Sequence, residues 1–299
     1  RKKFAALLLF AAAGISLYCE FGLKIVYPYV RASAVLFAAG GAAAMVRSEA
    51  FFRYVSDEPM PQLLVYGLFL LVVFYALRCG LESIVRVLGL AAGLFLLSMA
   101  LMLVSNLGGV HLSNLTFQPF DFPEVLRTAA RGFTLPPELP LFCLLSLHAN
   151  REKRRPLLKT LALLCVFYIG LTFCSEAVLG MKAQLQQQTI HTLSRLGSIS
   201  VFRRLDALHI AAWMLAELCK VAALAYGVQS ALTPLLPHSQ RGGKTCGYAV
   251  GLLAVLLAVC AGAPPETLRA VLTAGTAVLL ACTVVYGCVM EGFYAKKRV

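Results

Sequence analysis

The residues of this chain best placed to do chemistry lie in one apolar stretch. Leu205 to Leu232 reads as a single helix, with Lys220 near its middle. An ionisable side chain at that depth in hydrocarbon costs several kcal/mol or more, so it faces a cavity or a partner and marks a functional site by default. At about 100° per residue, Asp206, His209, Trp213, Glu217, Lys220 and Gly227 fall within roughly 80° of one another. Nearly all the polar side chains of the segment share this stripe, so the helix turns it away from lipid. Glu217 and Lys220, three apart, are helical neighbours. Two readings stand: a salt bridge that neutralises both, or a lysine that exchanges a proton or stands in for a bound cation. A buried lysine shifts its pKa readily, which suits the second.

A second constellation is Phe133-Thr134-Leu135-Pro136-Pro137-Glu138-Leu139-Pro140. Proline removes a backbone donor and clashes with the preceding turn. Three of them break a helix, and a broken helix is tolerated in a membrane where it lines a cavity. In transporters such breaks hold substrate near the midplane. Glu138, with backbone near Thr134, is then a ligand-binding candidate, either for a substrate ammonium or for proton coupling. The alternative is that the apolar span simply begins at Leu139, with the prolines as its boundary. A third place is the turn Gly80 to Arg86, where Glu82 and Arg86 at i,i+4 spacing clamp the start of a helix; a structural role is the default there.

The elements that must position these residues are transmembrane helices. The chain of 299 residues is 60% hydrophobic and 14% charged, with a mean hydropathy of +0.79. A soluble domain carries about 25% charged residues. The net charge of +13 is not a nucleic-acid footprint, because no aromatic-basic platform interrupts the apolar runs. Its bases cluster instead at Arg151 to Lys159 and at Lys296 to Arg298, as on the cytoplasmic flanks of membrane spans. The ten cysteines are scattered without C-x-x-C and read as buried small hydrophobes, so no metal is called for. No cofactor motif or catalytic nucleophile cluster is visible, which speaks against an enzyme.

A span needs about 20 apolar residues. The sequence offers 4–30, 32–55, 62–79, 84–105, 124–149, 156–181, 204–233, 245–263 and 267–293. The expectation is an all-α, polytopic membrane protein, one permease domain over 1–299, with about nine transmembrane helices. Segment 182–202 is polar and amphipathic and reads as an extramembrane or interfacial connection. Segment 106–123 is a loop without Lys or Arg. The Lys/Arg bias puts 150–156, 234–244, the Arg78–Arg86 turn and the C-terminus inside. It would also put Arg1-Lys2-Lys3 outside, which one further helix before residue 1 would explain. Gly89/Gly93 and Gly247/Gly251 have G-x-x-x-G spacing and read as helix packing.

Three segments together resemble a family. Tyr75 to Arg86 (Y-A-L-R-C-G-L-E-S-I-V-R) is similar to the "Y…G-[IL]-E-x-[IL]-x-R" stretch of spore-germination permeases, the membrane B subunits of bacterial germinant receptors. Phe202 to Leu208, followed by Trp213 and Lys220, resembles their "F-x-R-[LI]-[DE]-x-L…W…K" stretch. Asn114 to Pro119 resembles the loop before their sixth helix. The resemblance runs from about residue 32 to the end. It implies the amino acid–polyamine–organocation transporter fold, with ten helices in two inverted repeats and the first and sixth unwound at the ligand site. On that alignment 124–149 is the sixth helix, 204–233 the eighth, and the first precedes residue 1.

The implied function is to bind a small nutrient germinant, an amino acid above all, and to take part in germinant signalling, with or without transport. The implied partners are the nutrient, the other germinant-receptor subunits and membrane lipid, in a bacterial inner membrane. A proton-coupled amino-acid transporter outside sporulation and a non-transporting membrane partner are the alternatives.

Overall fold

The computed structural model describes residues 26–56, 60–115, 123, 137–138, 140–141, 155–180, 182–186, 188–197, 206–236 and 243–296. Their regular structure is entirely helical. The helices are α1 (Val26–Val55), α2 (Gln62–Cys79), α3 (Leu81–Ser105), α4 (Arg155–Leu179), α5 (Lys182–Leu185), α6 (Thr189–Leu196), α7 (Asp206–Leu232), α8 (Gly243–Ala261) and α9 (Pro265–Lys296). Among the described residues, five stretches are long and apolar enough to cross a membrane: Ala32–Val55, Gln62–Cys79, Leu81–Ser105, Asp206–Leu235 and Lys244–Ala261. The spans expected at 4–30 and 124–149 lie largely outside the described residues, which do not by themselves make up a ten-helix inverted repeat.

The chain forms two compact units. One comprises residues 1–86, 133–149 and 217–299, the other 87–132 and 150–216. In the first, α1 is the central helix and packs against α2, α8 and α9. Its small residues make this possible: Ala34, Ala38, Ala42, Ala43 and Ala44 are buried, and Phe37 and Met45 fill the spaces between helices. The expected boundary at residue 31 is absent, because α1 runs unbroken from Val26 and passes Pro28 in its first turn. Proline is tolerated there, where its missing N–H has no partner in any case.

α2 shows how one helix serves two environments. Val65, Phe69, Val73 and Leu77, spaced by four, are buried together with Tyr66. Leu63, Leu71 and Tyr75 are exposed on the other side. An apolar face left outward on a helix of this length suits lipid. Gly80 ends α2 with φ 86°, a conformation that glycine adopts without steric cost. α3 follows at once, its first bond running from Ile84 N–H to Gly80 C=O at 3.3 Å.

In the second unit, α4 packs against α6 and against two 3₁₀ turns, Leu107–Gly109 and Leu112–Asn114. Met99, Met102, Leu171, Cys174 and Leu193 form its core, with Phe95, Phe167 and Ile190 around them. The described start of the loop without basic residues, 106–115, is tied down by two asparagines. Asn106 Nδ2 donates to Met102 O at 2.8 Å and to Leu193 O at 3.1 Å. Asn114 Nδ2 donates to Ala177 O at 2.9 Å. The described part of the polar segment expected as an interfacial connection contains α5 and α6.

A half-buried cluster of one lysine and two glutamates

Asp206 opens α7 and Lys220 lies four turns along it. The stripe read from the sequence faces inward on this helix: His209 is 3% exposed and Gly227 is buried, whereas Ala207, Leu208 and Ala211 are exposed. The ammonium of Lys220 donates to Glu217 Oε1 at 2.7 Å. It also stands 3.7 Å from Glu138 Oε1. The first contact is a direct charge-assisted hydrogen bond; the second is an ion pair too long to be one. The three side chains are 26%, 13% and 33% exposed for Lys220, Glu217 and Glu138.

The second carboxylate oxygens matter as much as the first. Glu138 Oε2 and Glu217 Oε2 are both buried and have no hydrogen-bond partner among the described residues. Fully ionised, two carboxylates and one ammonium leave one negative charge in a half-buried place. An unpaired buried charge is costly, so the cluster suits one further positive charge or hydrogen-bond donor.

Local structure explains how Glu138 reaches this position. Pro137 lies in a turn, and Glu138, Pro140 and Leu141 are helical. Pro137, Pro140 and Leu141 are buried, so the segment is anchored on both sides of the carboxylate. Around it the backbones of α1 and α7 come close. A Cβ on Gly227 would meet Leu141 Cδ1 at 2.7 Å and Phe37 Cδ2 at 2.9 Å. The G-x-x-x-G pairs Gly89/Gly93 and Gly247/Gly251 play no such part among the described residues, where a Cβ at any of the four would meet nothing within 4 Å.

The other sequence candidates lie apart. Thr134 is outside the described residues. Asp206 is fourteen residues before Lys220, about 21 Å along the axis at 1.5 Å per residue, so it is not a member of this cluster. Its neighbour is His191 of α6, whose pKa is pulled below the ordinary value, first by burial and then by Arg195, while Asp206 opposes the shift. His209 packs near Phe95, with ring centroids 6.4 Å apart. Glu82 and Arg86 pair at 2.5 Å with 80% and 76% of their side chains exposed.

The pairing of Glu138 with Lys220 is the feature that sequence reasoning missed. Helical periodicity relates residues of one helix only and carries no signal for a contact between distant segments. The adjacent Gly40 and Gly41 were the available hint, since glycine inside a helix costs about 1 kcal/mol and marks a close approach.

No curated relative and no solved structure matches the chain. A family model described as "Spore germination protein" matches residues 50–264. That match takes in the Gly80–Arg86 turn, the Glu138 segment and the whole of α7, and the chain belongs to the spore germination protein family.

Proposed function

We propose that this chain is a germinant-receptor permease subunit that binds a small nutrient, an amino acid, in the membrane and takes part in germinant signalling. The observation that carries the reading is the cluster itself: Lys220 between Glu217 at 2.7 Å and Glu138 at 3.7 Å, with a buried carboxylate oxygen left over on each glutamate. An amino acid brings a primary ammonium, which supplies the missing positive charge and up to three donors. Glu138 is the contact for it, because its bond to Lys220 is the longer and more easily exchanged. Lys220 holds the place of a coupling cation. Membership of the spore germination protein family supports the sensing role over an ordinary nutrient transporter. The receptor's other subunits and a bacterial inner membrane, that of the spore, complete the proposal.

The test is made in spores carrying the intact receptor. Glu138→Gln keeps the shape of the side chain and removes its charge, so assembly is retained and the amino-acid response is lost or shifted to much higher concentration. An unchanged dose response in assembled receptor would refute the assignment.

A further inference from the structure

A Cβ placed on Gly40 would meet Pro137 Cγ at 2.5 Å and Pro137 Cβ at 3.0 Å. The same Cβ would lie 3.7 Å from Leu224 Cδ1. Gly40 is therefore a notch in α1, filled by the ring of Pro137 and bordered by α7. All three residues are fully or nearly buried. Pro137 precedes Glu138 directly, and Leu224 sits one turn beyond Lys220. The depth of the notch thus fixes where the Glu138 carboxylate stands relative to the Lys220 ammonium. We infer that Gly40 is a positioning residue: the notch at Gly40 sets the 3.7 Å gap between Glu138 and Lys220, and with it the strength of ammonium binding at Glu138. The last clause rests on the germinant reading; the first does not.

The consequence of filling the notch follows from the geometry. An alanine at Gly40 brings a contact at 2.5 Å where ordinary packing needs about 3.4 Å, so the proline must retreat by about 0.9 Å or α1 must yield. Glu138 moves with its neighbour. A carboxylate drawn back by that amount from a cation at 3.7 Å loses about fourfold in the pairing equilibrium at an effective dielectric near 20. Both glycines border Leu224, but the tight contact of Gly41 is with Leu253 of α8 at 2.8 Å and not with Pro137, so the two glycines are separable.

The inference is tested by a thermal-unfolding cycle on purified protein, without germinant, over Gly40→Ala, Glu138→Gln and the pair. If Gly40 positions Glu138, the alanine costs measurably less stability in the Glu138→Gln background, because part of its effect is the displaced charge. A purely steric role gives the same loss in both backgrounds and overturns the inference. Pro137→Gly removes the wedge without crowding and reads the same contact if Gly40→Ala fails to assemble. It too must couple to Glu138→Gln, and additive losses overturn the inference. Gly40→Ala should also add little to a chain already carrying Pro137→Gly. In spores given a panel of the proteinogenic amino acids, Gly40→Ala lowers the half-maximal concentration about fourfold with the maximum unchanged, because the germinant's ammonium exchanges with a more weakly held Lys220. A panel to which unaltered spores do not respond would sink the germinant reading and leave the cycle standing.

Discussion

Replacing Lys220 by methionine keeps the unbranched stem of the side chain, one atom shorter, and removes its charge. The ammonium is 2.7 Å from Glu217 and 3.7 Å from Glu138, so its loss leaves two carboxylates without their shared cation. Breaking a fully buried pair costs about 3–5 kcal/mol. Here a quarter of Lys220 and a third of Glu138 are exposed, which reduces the penalty to about 2–3 kcal/mol. Lys220→Met is therefore expected to lower the unfolding temperature of the purified protein by several degrees and to abolish the nutrient response. The companion variant Lys220→Met/Glu217→Gln removes one of the two stranded charges and leaves that of Glu138. It is expected to regain part of the stability, since replacing both partners of a buried pair is often neutral but Glu138 stays without its cation, while the response stays lost. Two results would refute the reasoning. One is a Lys220→Met protein as stable and as responsive as the parent. The other is a double variant that recovers both stability and response, which would reduce the cluster to a structural ion pair.

Three further outcomes follow from the structure. Asn106→Ala removes two buried hydrogen bonds and is expected to cost about 1–2 kcal/mol in urea unfolding, with no change in nutrient concentration dependence. Glu82→Ala breaks an exposed pair and is expected to change stability by less than about 1 kcal/mol; a larger loss would show that the turn is covered in the assembled receptor. His191 has a depressed pKa, so the unfolded chain binds more protons than the folded one below about pH 6.5. Its contribution to stability is complete above that pH and is lost as pH falls towards the folded value. His191→Gln should therefore flatten the fall in unfolding temperature between neutral pH and mildly acid pH.

Some of this molecule was legible in its sequence, and α2 shows why. Its apolar run is bounded by Pro61 and Gly80, both of which stop a helix for covalent reasons, and the expected 62–79 coincides with Gln62–Cys79. α3 starts at Leu81 and not at the expected residue 84, because hydropathy reports where side chains turn apolar, while backbone bonding begins directly after the turn at Gly80. The pairing of Glu217 with Lys220 was legible because three residues on a helix fix their proximity. The approach of Glu138 was not, since it depends on how a proline turn packs into Gly40. Asp206 shares the stripe of Lys220, yet a stripe gives angle and not depth, and the two lie about 21 Å apart along α7.

The central claim, that the Glu138–Lys220–Glu217 cluster binds the ammonium of a small nutrient, is met most directly by ligand-dependent stabilisation. Purified protein is heated with each proteinogenic amino acid in turn, alongside Glu138→Gln. A bound ligand at about a hundred times its Kd stabilises the fold by about 2.7 kcal/mol. The account predicts a raised unfolding temperature for at least one amino acid in the parent chain, and none for the same amino acid in Glu138→Gln. An equal shift in both proteins, or no shift with any amino acid in the parent, would contradict it.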